Sequence, residues 1–360
     1  MREVAVIAYY QTPQVRDCGA KNDVELVMEA VHGVKNQIGF TQQDIDFTCS
    51  GSCDYLGGAA FAFVSAVDAL GAVPPISESH VEMDAAWALY EAWLKFQTGH
   101  IDTALIYGFG KCSQGPLLDV LALQLDPYYT QPLWPDTISL SAMQAQALLD
   151  AGKITEHQLA EIVQKSRKNA KRNPNAQLFG DYTIEQLLAE PTFVSPLRKH
   201  DCPPITDGAS AMILASKEVA EKLFASPLFA GTGKRPAYIT GLDHRIESHQ
   251  LGTRDLLTSS STRIAGEKAG VQNGRVDIAE LHAPFSYQEL LLKEALGLDD
   301  STDINLSGGS LAGNIIMSGG LDRIGEVAMR IIRGEAKRGV AHATSGACLQ
   351  QNLVAVLEGN

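Results

Sequence analysis

Residues 305–320 read Asn-Leu-Ser-Gly-Gly-Ser-Leu-Ala-Gly-Asn-Ile-Ile-Met-Ser-Gly-Gly, and a helix expected near 321–332 follows directly. The glycines and small polar residues predict a tight backbone turn at Ser307, Gly308 and Gly309 with N–H groups aimed inward. Such a turn shapes the chain first and offers ligand contacts second. The order of turn, helix, Gly334 and the strand expected at 341–344 is also found earlier in the chain. There an apolar helix over 83–98 stops at Gly99 before a strand over 103–107.

Working outward, 2–9 pairs with 235–241 as a first strand of each half, and 44–49 pairs with 277–282 as a second. Between them lie a helix over 23–37, a glycine-rich turn from Gly51 to Gly58 and a helix over 59–70. Two strand–helix units in the same order predict a duplicated α/β fold, with clefts at the carboxyl ends of strands. The stretch 116–200 differs, being rich in Pro, Gln and polar residues, with helices over 139–151 and 156–173. It reads as an inserted loop domain. The expected division is 1–115 plus 201–230, the insertion 116–200, and 231–360.

The chain has 360 residues, 45% of them hydrophobic, enough for a large core. Its 29 basic and 42 acidic residues give a net charge of −13, which disfavours nucleic acid and anionic membrane surfaces. The basic run from Lys165 to Arg172 reads as a solvated helix face. Six cysteines make no disulfide framework, and beside Cys49 and Cys53, four apart, no second cysteine or histidine pair sits at zinc-site spacing, so no metal is expected. No apolar run reaches a membrane-spanning length and the amino terminus lacks signal-peptide character, which predicts a cytoplasmic protein.

Several segments together resemble the thiolase superfamily over nearly the whole chain. They are VAVIAYYQTP at the start, GHIDTALIYGFGK at 99–111, RKNAKRNPNAQ at 167–177, PITDGASAMILAS at 204–216, ELHAPFSYQELLLKEALGL at 280–298 and NLSGGSLAG at 305–313. The sterol-carrier-type, lipid-transfer-protein-like branch is the most similar. The resemblance implies a duplicated thiolase fold of five α-β-α-β-α layers, a homodimer or a heteromer with another thiolase-like chain, and a coenzyme A thioester as substrate, with no covalently bound cofactor.

That resemblance also exposes departures. Counting back from Gly108 puts the family's nucleophilic cysteine at Glu82, and its catalytic histidine falls at Asn314. The carboxy-terminal family cysteine falls at Ser345 or Gly346, with Cys348 two or three residues beyond. His282 and Phe285 match the His-x-x-Phe motif that lines a thioester oxyanion hole, and Tyr287 follows. Thiolase-like aldolases of steroid side-chain breakdown are similar in this respect and work with an OB-fold partner of the DUF35 type.

A retro-aldol cleavage needs a base for the β-hydroxyl and donors for the thioester enolate, and no acyl-enzyme. The candidate catalytic residues are therefore His282, Tyr287, Glu82, Asn314 and Cys348, with Ser307, Gly308 and Gly309 as ligand contacts. Glu82 is expected to be desolvated and so a stronger base, with Asp84 as the alternative capping acid. The expected activity is aldolase cleavage or formation of a β-hydroxyacyl-CoA. The alternatives are a non-catalytic acyl-CoA-binding subunit and an acetyltransferase using Cys348.

Overall fold

The computed structural model describes residues 1–58 and 60–359. The first half opens with strand β1 (Val4–Gln11) and helix α1 (Asp23–Ile38). Asn22 caps α1 and its side chain accepts from the Glu25 amide, while Glu25 returns the bond. Then come β2 (Phe47–Gly51), β3 (Glu78–Val81), helix α2 (Ala85–Gln97) and β4 (Thr103–Lys111). The helix expected over 59–70 begins at Ala59, outside the described residues; the structure has a short helix Phe63–Val67 and a 3-10 turn Asp68–Leu70.

The next stretch holds α3 (Thr137–Asp150) and α4 (Glu156–Ala170), the latter opened by a Thr155–Gln158 capping box. Strand β5 (Asp207–Ser216) closes the first half-sheet. The second half supplies β6 (Ala237–Ile246), α5 (Ser260–Ala269), β7 (Ile278–Leu281), α6 (Ser286–Leu296), β8 (Asp303–Ile304), α7 (Gly319–Ile332), β9 (Arg338–Ser345) and β10 (Gln351–Glu358).

The duplication expected from the sequence is visible in the strand order. The first half-sheet runs β3-β2-β4-β5-β1 and the second β8-β7-β9-β10-β6, the same pattern of third, second, fourth, fifth and first strand. In both, the second strand is parallel to its neighbours and the fifth is antiparallel to the fourth and first. The halves join where β1 meets β6, through Ala5 opposite Tyr238 and Val6 opposite Ala237.

Alternation along the strands builds the layers. Val4 and Val6 face an inner core with Ile106, Leu214, Ala341 and Leu353, and this core encloses Leu89 and Phe96 of α2 and Ile324, Val327 and Ile331 of α7. Ala5 and Ile7 face the opposite way, onto Leu26, Val27 and Val34 of α1. Val340, Val354 and Val356 likewise turn outward onto Leu292 and Leu296 of α6 and Ala265 of α5. The result is helix, sheet, helix pair, sheet, helix, the five layers expected from the sequence. The alanines of α2 at 85, 86, 88 and 92 let two helices fit between the sheets.

The stretch expected as an insertion packs against the second half. Ala142, Ala145 and Leu148 of α3 and Leu159 of α4 join the same outer core as Tyr287 and Leu291. Close approach also fixes β6: a Cβ on Gly241 would lie 1.8 Å from the Ala269 carbonyl oxygen. Backbone cannot yield as a flexible side chain does. Gly241→Ala is therefore expected to cost stability by about 1–3 kcal/mol or more, read as a lower urea midpoint for unfolding.

Candidate functional site

The amino ends of α2 and α7, one from each half, meet at the centre of the molecule. Asp84 precedes α2 and its Oδ1 accepts from the Ala86 N–H at 2.8 Å. The same carboxylate crosses to α7, taking the Gly320 N–H on Oδ2 at 2.8 Å and the Leu321 N–H on Oδ1 at 3.2 Å. One acid thus caps both central helices. Sequence reasoning weighed Asp84 as a cap for α2, because an Asp before an apolar helical run is a start signal; nothing in the sequence showed its second partner.

Two adjacent glycines make this junction possible. A Cβ on Gly319 would lie 2.9 Å from both His282 Nε2 and Asn314 Oδ1, and one on Gly320 would lie 2.6 Å from Asp84 Oδ1. The first turn of α7 therefore separates Asp84 from a second polar pair by one residue.

That pair is His282 and Asn314. His282 directly follows β7, and its Nε2 lies 3.1 Å from Asn314 Oδ1. Its Nδ1 accepts the Thr344 N–H from β9 at 3.3 Å. An accepting Nδ1 puts the proton on Nε2, so the ring donates to Asn314. Burial, then the Arg323 and His342 charges, push the His282 pKa down to about 3, against the opposing bond from Asn314. At neutral pH the ring is a neutral donor and a weak base. The Asn314 amide keeps its NH₂ donors, and its backbone N–H is tied to Thr206 Oγ1 at 3.0 Å.

The loop from Asn314 to α7 lies over the strand ends of the first half. Gly108 meets the Met317 carbonyl and Gly110 the Ile316 carbonyl, while Gly208 meets the Ile315 side chain. Met317 adopts a left-handed backbone, φ 73°, and its carbonyl accepts the Ala85 N–H at 2.9 Å. On the other side of this loop Ser52, Cys53, Gly110, Lys111, Ile316 and Met317 help line a cavity of about 240 Å³.

Asn305 supports His282 from behind. Its Oδ1 accepts the Leu281 N–H at 2.7 Å, one residue before His282, and its Nδ2 donates to Glu289 Oε2 at 2.7 Å. Its φ is 53°, a conformation Asn tolerates better than most residues. Sequence reasoning placed Asn305 in the surviving motif and gave it no role.

Other expectations need correction. Ser307, Gly308 and Gly309 do form the turn, with φ 99° and 65° at the two glycines, but their polar groups are spent inside the protein. Ser307 N–H and Oγ both donate to Glu280, at 2.9 and 2.6 Å, and Arg323 Nη1 reaches Ser307 Oγ at 2.7 Å and Glu280 at 3.0 Å. Gly309 N–H turns back to Ser307 Oγ at 3.2 Å, and the Gly308 carbonyl accepts from Ser166 of α4 at 2.6 Å. They brace α4 and α7 rather than present donors to a ligand.

Tyr287 is fully buried in the outer core of the second half. Its hydroxyl donates to Gln144 of α3 at 2.8 Å, and burial raises its pKa well above that of a free phenol. A base needs the opposite shift, and no hydrogen bond joins Tyr287 to His282 or Asn314. Glu82 is exposed, not desolvated, and its Oε1 accepts the Asp54 N–H at 2.6 Å.

Cys348 is buried, its thiol donates to the Leu140 carbonyl at 3.4 Å, and burial pushes its pKa up to about 11. At neutral pH such a group is a thiol, not a nucleophilic thiolate. A water-soluble alkylating reagent at pH 7.5 is expected to label Cys348 far more slowly than free cysteine, measured by mass spectrometry of the native chain. Among the described residues no group of three or more His, Cys, Asp and Glu side chains is placed to hold a metal. No described helix is long and apolar enough to cross a membrane.

The buried histidines set an acid response. His282 falls to about 3 and His342 to about 4, chiefly through burial. Below the unfolded value, near 6.5, the unfolded chain takes protons the fold refuses, so stability falls as pH drops from about 6.5 toward 4. Asp84 works oppositely over about 4 to 6, since burial lifts its pKa to about 6 and the fold binds that proton more tightly. In His342→Gln the slope of unfolding free energy against pH near pH 5.5 is expected to shrink by about 1.4 kcal/mol per pH unit, one proton's worth.

No family model matches the chain. An acetyl-CoA acetyltransferase of Methanothermobacter thermautotrophicus is 27% identical over 377 residues, covering 96% of this chain and 95% of its own. Human sterol carrier protein 2 is 28% identical over 314 residues, 78% of this chain and 56% of its own. Among solved structures, the Ltp2-ChsH2(DUF35) aldolase superposes with a TM-score of 0.81 at 18% identity, covering 99% and 98% of the two chains. Human mitochondrial 3-ketoacyl-CoA thiolase does so with a TM-score of 0.78 at 18% identity, covering 100% and 99%. The duplicated half-sheets and the buried helix pair are the fold these solved structures share, and the chain's sequence is similar to the acetyltransferase along nearly its whole length.

Proposed function

We propose that this chain acts on a coenzyme A thioester without a covalent acyl-enzyme, as an aldolase that cleaves or forms the Cα–Cβ bond of a β-hydroxyacyl-CoA. One observation carries the reading. The neutral His282–Asn314 pair is intact and buried at the α7 amino end, whereas the residue at the nucleophile's place is Glu82 and the Cys348 thiol is pushed up to about 11.

In the cleavage direction a base takes the β-hydroxyl proton, a carbonyl forms at Cβ, and the Cα–Cβ pair moves to Cα as a thioester enolate. The Asn314 NH₂ donates to the thioester oxygen as its charge grows, and the His282 Nε2–H, spent on Asn314 Oδ1, fixes that amide's orientation. Protonation at Cα then releases acyl-CoA beside an aldehyde or ketone. Glu82, an exposed carboxylate two residues before the double cap, is the base in this reading. The DUF35-containing aldolase complex among the structural relatives supports an OB-fold partner, and a homodimer or a heteromer with another thiolase-like chain belongs to the same proposal.

A second reading is favoured by the engaged helix ends: Ala85, Ala86, Gly320 and Leu321 already give their N–H groups to protein acceptors. A non-catalytic acyl-CoA-binding subunit would need none of them free. The test is turnover of a β-hydroxyacyl-CoA panel, with and without an OB-fold partner. Carbonyl release that survives Cys348→Ala and is lost in His282→Ala supports the aldolase. Acyl-CoA binding with no cleavage under any pairing supports the binding subunit.

A further inference from the structure

The segment 305–314 ends at Asn314, and its backbone is held largely by polar groups from elsewhere in the chain. Asn169 of α4 donates to the Asn305 carbonyl at 3.0 Å, and Asn173, just beyond α4, donates to the Ser307 carbonyl at 3.0 Å. The Gln177 and Leu178 N–H groups share the Ala312 carbonyl, at 3.1 and 2.9 Å. The Asn314 N–H goes to Thr206 Oγ1 at 3.0 Å, and Thr206 also forms a parallel bridge with Ile315. Thr206 is 1% exposed and directly precedes β5.

The direction of each hydrogen bond follows from the groups. A backbone N–H only donates, so Thr206 Oγ1 accepts from Asn314 and spends its own proton elsewhere. Gln177 Oε1 takes that proton at 2.7 Å, with the Pro204 carbonyl as a longer alternative at 3.3 Å. The Gln177 amide cannot be turned over. Its Nε2 donates to the Ile205 carbonyl at 3.2 Å, and a reversed amide would set oxygen against oxygen there.

We propose that Thr206 and Gln177 are positioning residues that fix the backbone of Asn314, so that its side chain meets His282 with the NH₂ left for a ligand carbonyl. Asn314 is then held at two points, its N–H on Thr206 and its Oδ1 on the His282 Nε2–H at 3.1 Å. Gln177 comes from the stretch 116–200, Thr206 from the first half and Asn314 from the second, so the placement of one donor depends on three parts of the chain. Neither Thr206 nor Gln177 touches the reacting atoms. The effect on turnover rests on the aldolase reading, whereas the placement of Asn314 does not.

The experiment compares Thr206→Val with Thr206→Ser. Valine keeps the branched shape and removes the hydroxyl, and serine keeps the hydroxyl. The first readout needs no substrate: the Nε2–H signal of His282 in the ¹⁵N-histidine-labelled chain, assigned by its loss in His282→Ala. In Thr206→Val this proton is expected to shift and to exchange with water at least about tenfold faster, as its bond to Asn314 loosens, and Thr206→Ser restores it. In the second readout, kcat on β-hydroxyacyl-CoA falls about ten- to a hundredfold in Thr206→Val with KM little changed, as expected for a misplaced group, and serine recovers most of it. A Thr206→Val chain with an unchanged His282 signal overturns the proposal even if its urea midpoint drops, because a merely structural threonine would lower stability alone. If that variant does not fold, Gln177→Met at a half-buried position repeats the test, and an unchanged signal again overturns it. A parent that turns over no β-hydroxyacyl-CoA while its His282 signal still responds to Thr206→Val would sink the aldolase reading and leave the positioning of Asn314 standing.

Discussion

Replacing His282 by alanine is expected to lower the turnover of β-hydroxyacyl-CoA by two to three orders of magnitude, with coenzyme A affinity changed little. In the proposed oxyanion site, loss of one preorganised donor costs about 10²–10³ in kcat, and His282 holds that donor, the Asn314 amide, through its Nε2–H. Its partner loses too, since Asn314 Oδ1 would lack the bond it accepts at 3.1 Å. Asn314→Ala should therefore fall by a similar factor, and the double variant by less than the product, as members of one unit do. Steady-state kinetics checks this, with coenzyme A affinity by calorimetry and urea unfolding to confirm that each variant is folded. Full turnover in His282→Ala would remove this pair from the mechanism.

Arg323→Met is expected to destabilise the fold by about 3–5 kcal/mol, the usual cost of leaving half of a buried ion pair. Arg323 and Glu280 have side chains only 3% and 1% exposed, joined at 3.0 Å. Without the guanidinium, Glu280 keeps its two bonds from Ser307, at 2.9 and 2.6 Å, but not its countercharge. Replacing both, as Glu280→Leu with Arg323→Met, should recover much of the loss because no unpaired charge remains. Urea midpoints of the single and double variants measure the difference, and a single variant as stable as the parent would refute it. This network ties the 307–309 turn to α7, so the same substitution should also reduce activity.

The sequence by itself determined the plan of this protein. Strand and helix periodicity is local, so the repeated order of elements was legible in 2–9 and 235–241 and in the two apolar helices. The structure returns it as one strand order used twice. Glu82 in place of a cysteine just before α2 and the histidine after β7 were equally plain, because they are identities at counted positions. Tertiary structure alone decided which buried groups face one another. Asp84 meets Gly320 across 236 residues, and Tyr287 finds Gln144 across 143. Tyr287 and His282, five positions apart in sequence and both candidates for the same chemistry, go to different hydrogen-bond partners in the fold. Glu82 and Asp84, two apart, divide between solvent and the helix junction. Periodicity reports that a side chain is buried or exposed, whereas the field and the partners it meets are set by elements that arrive from far along the chain.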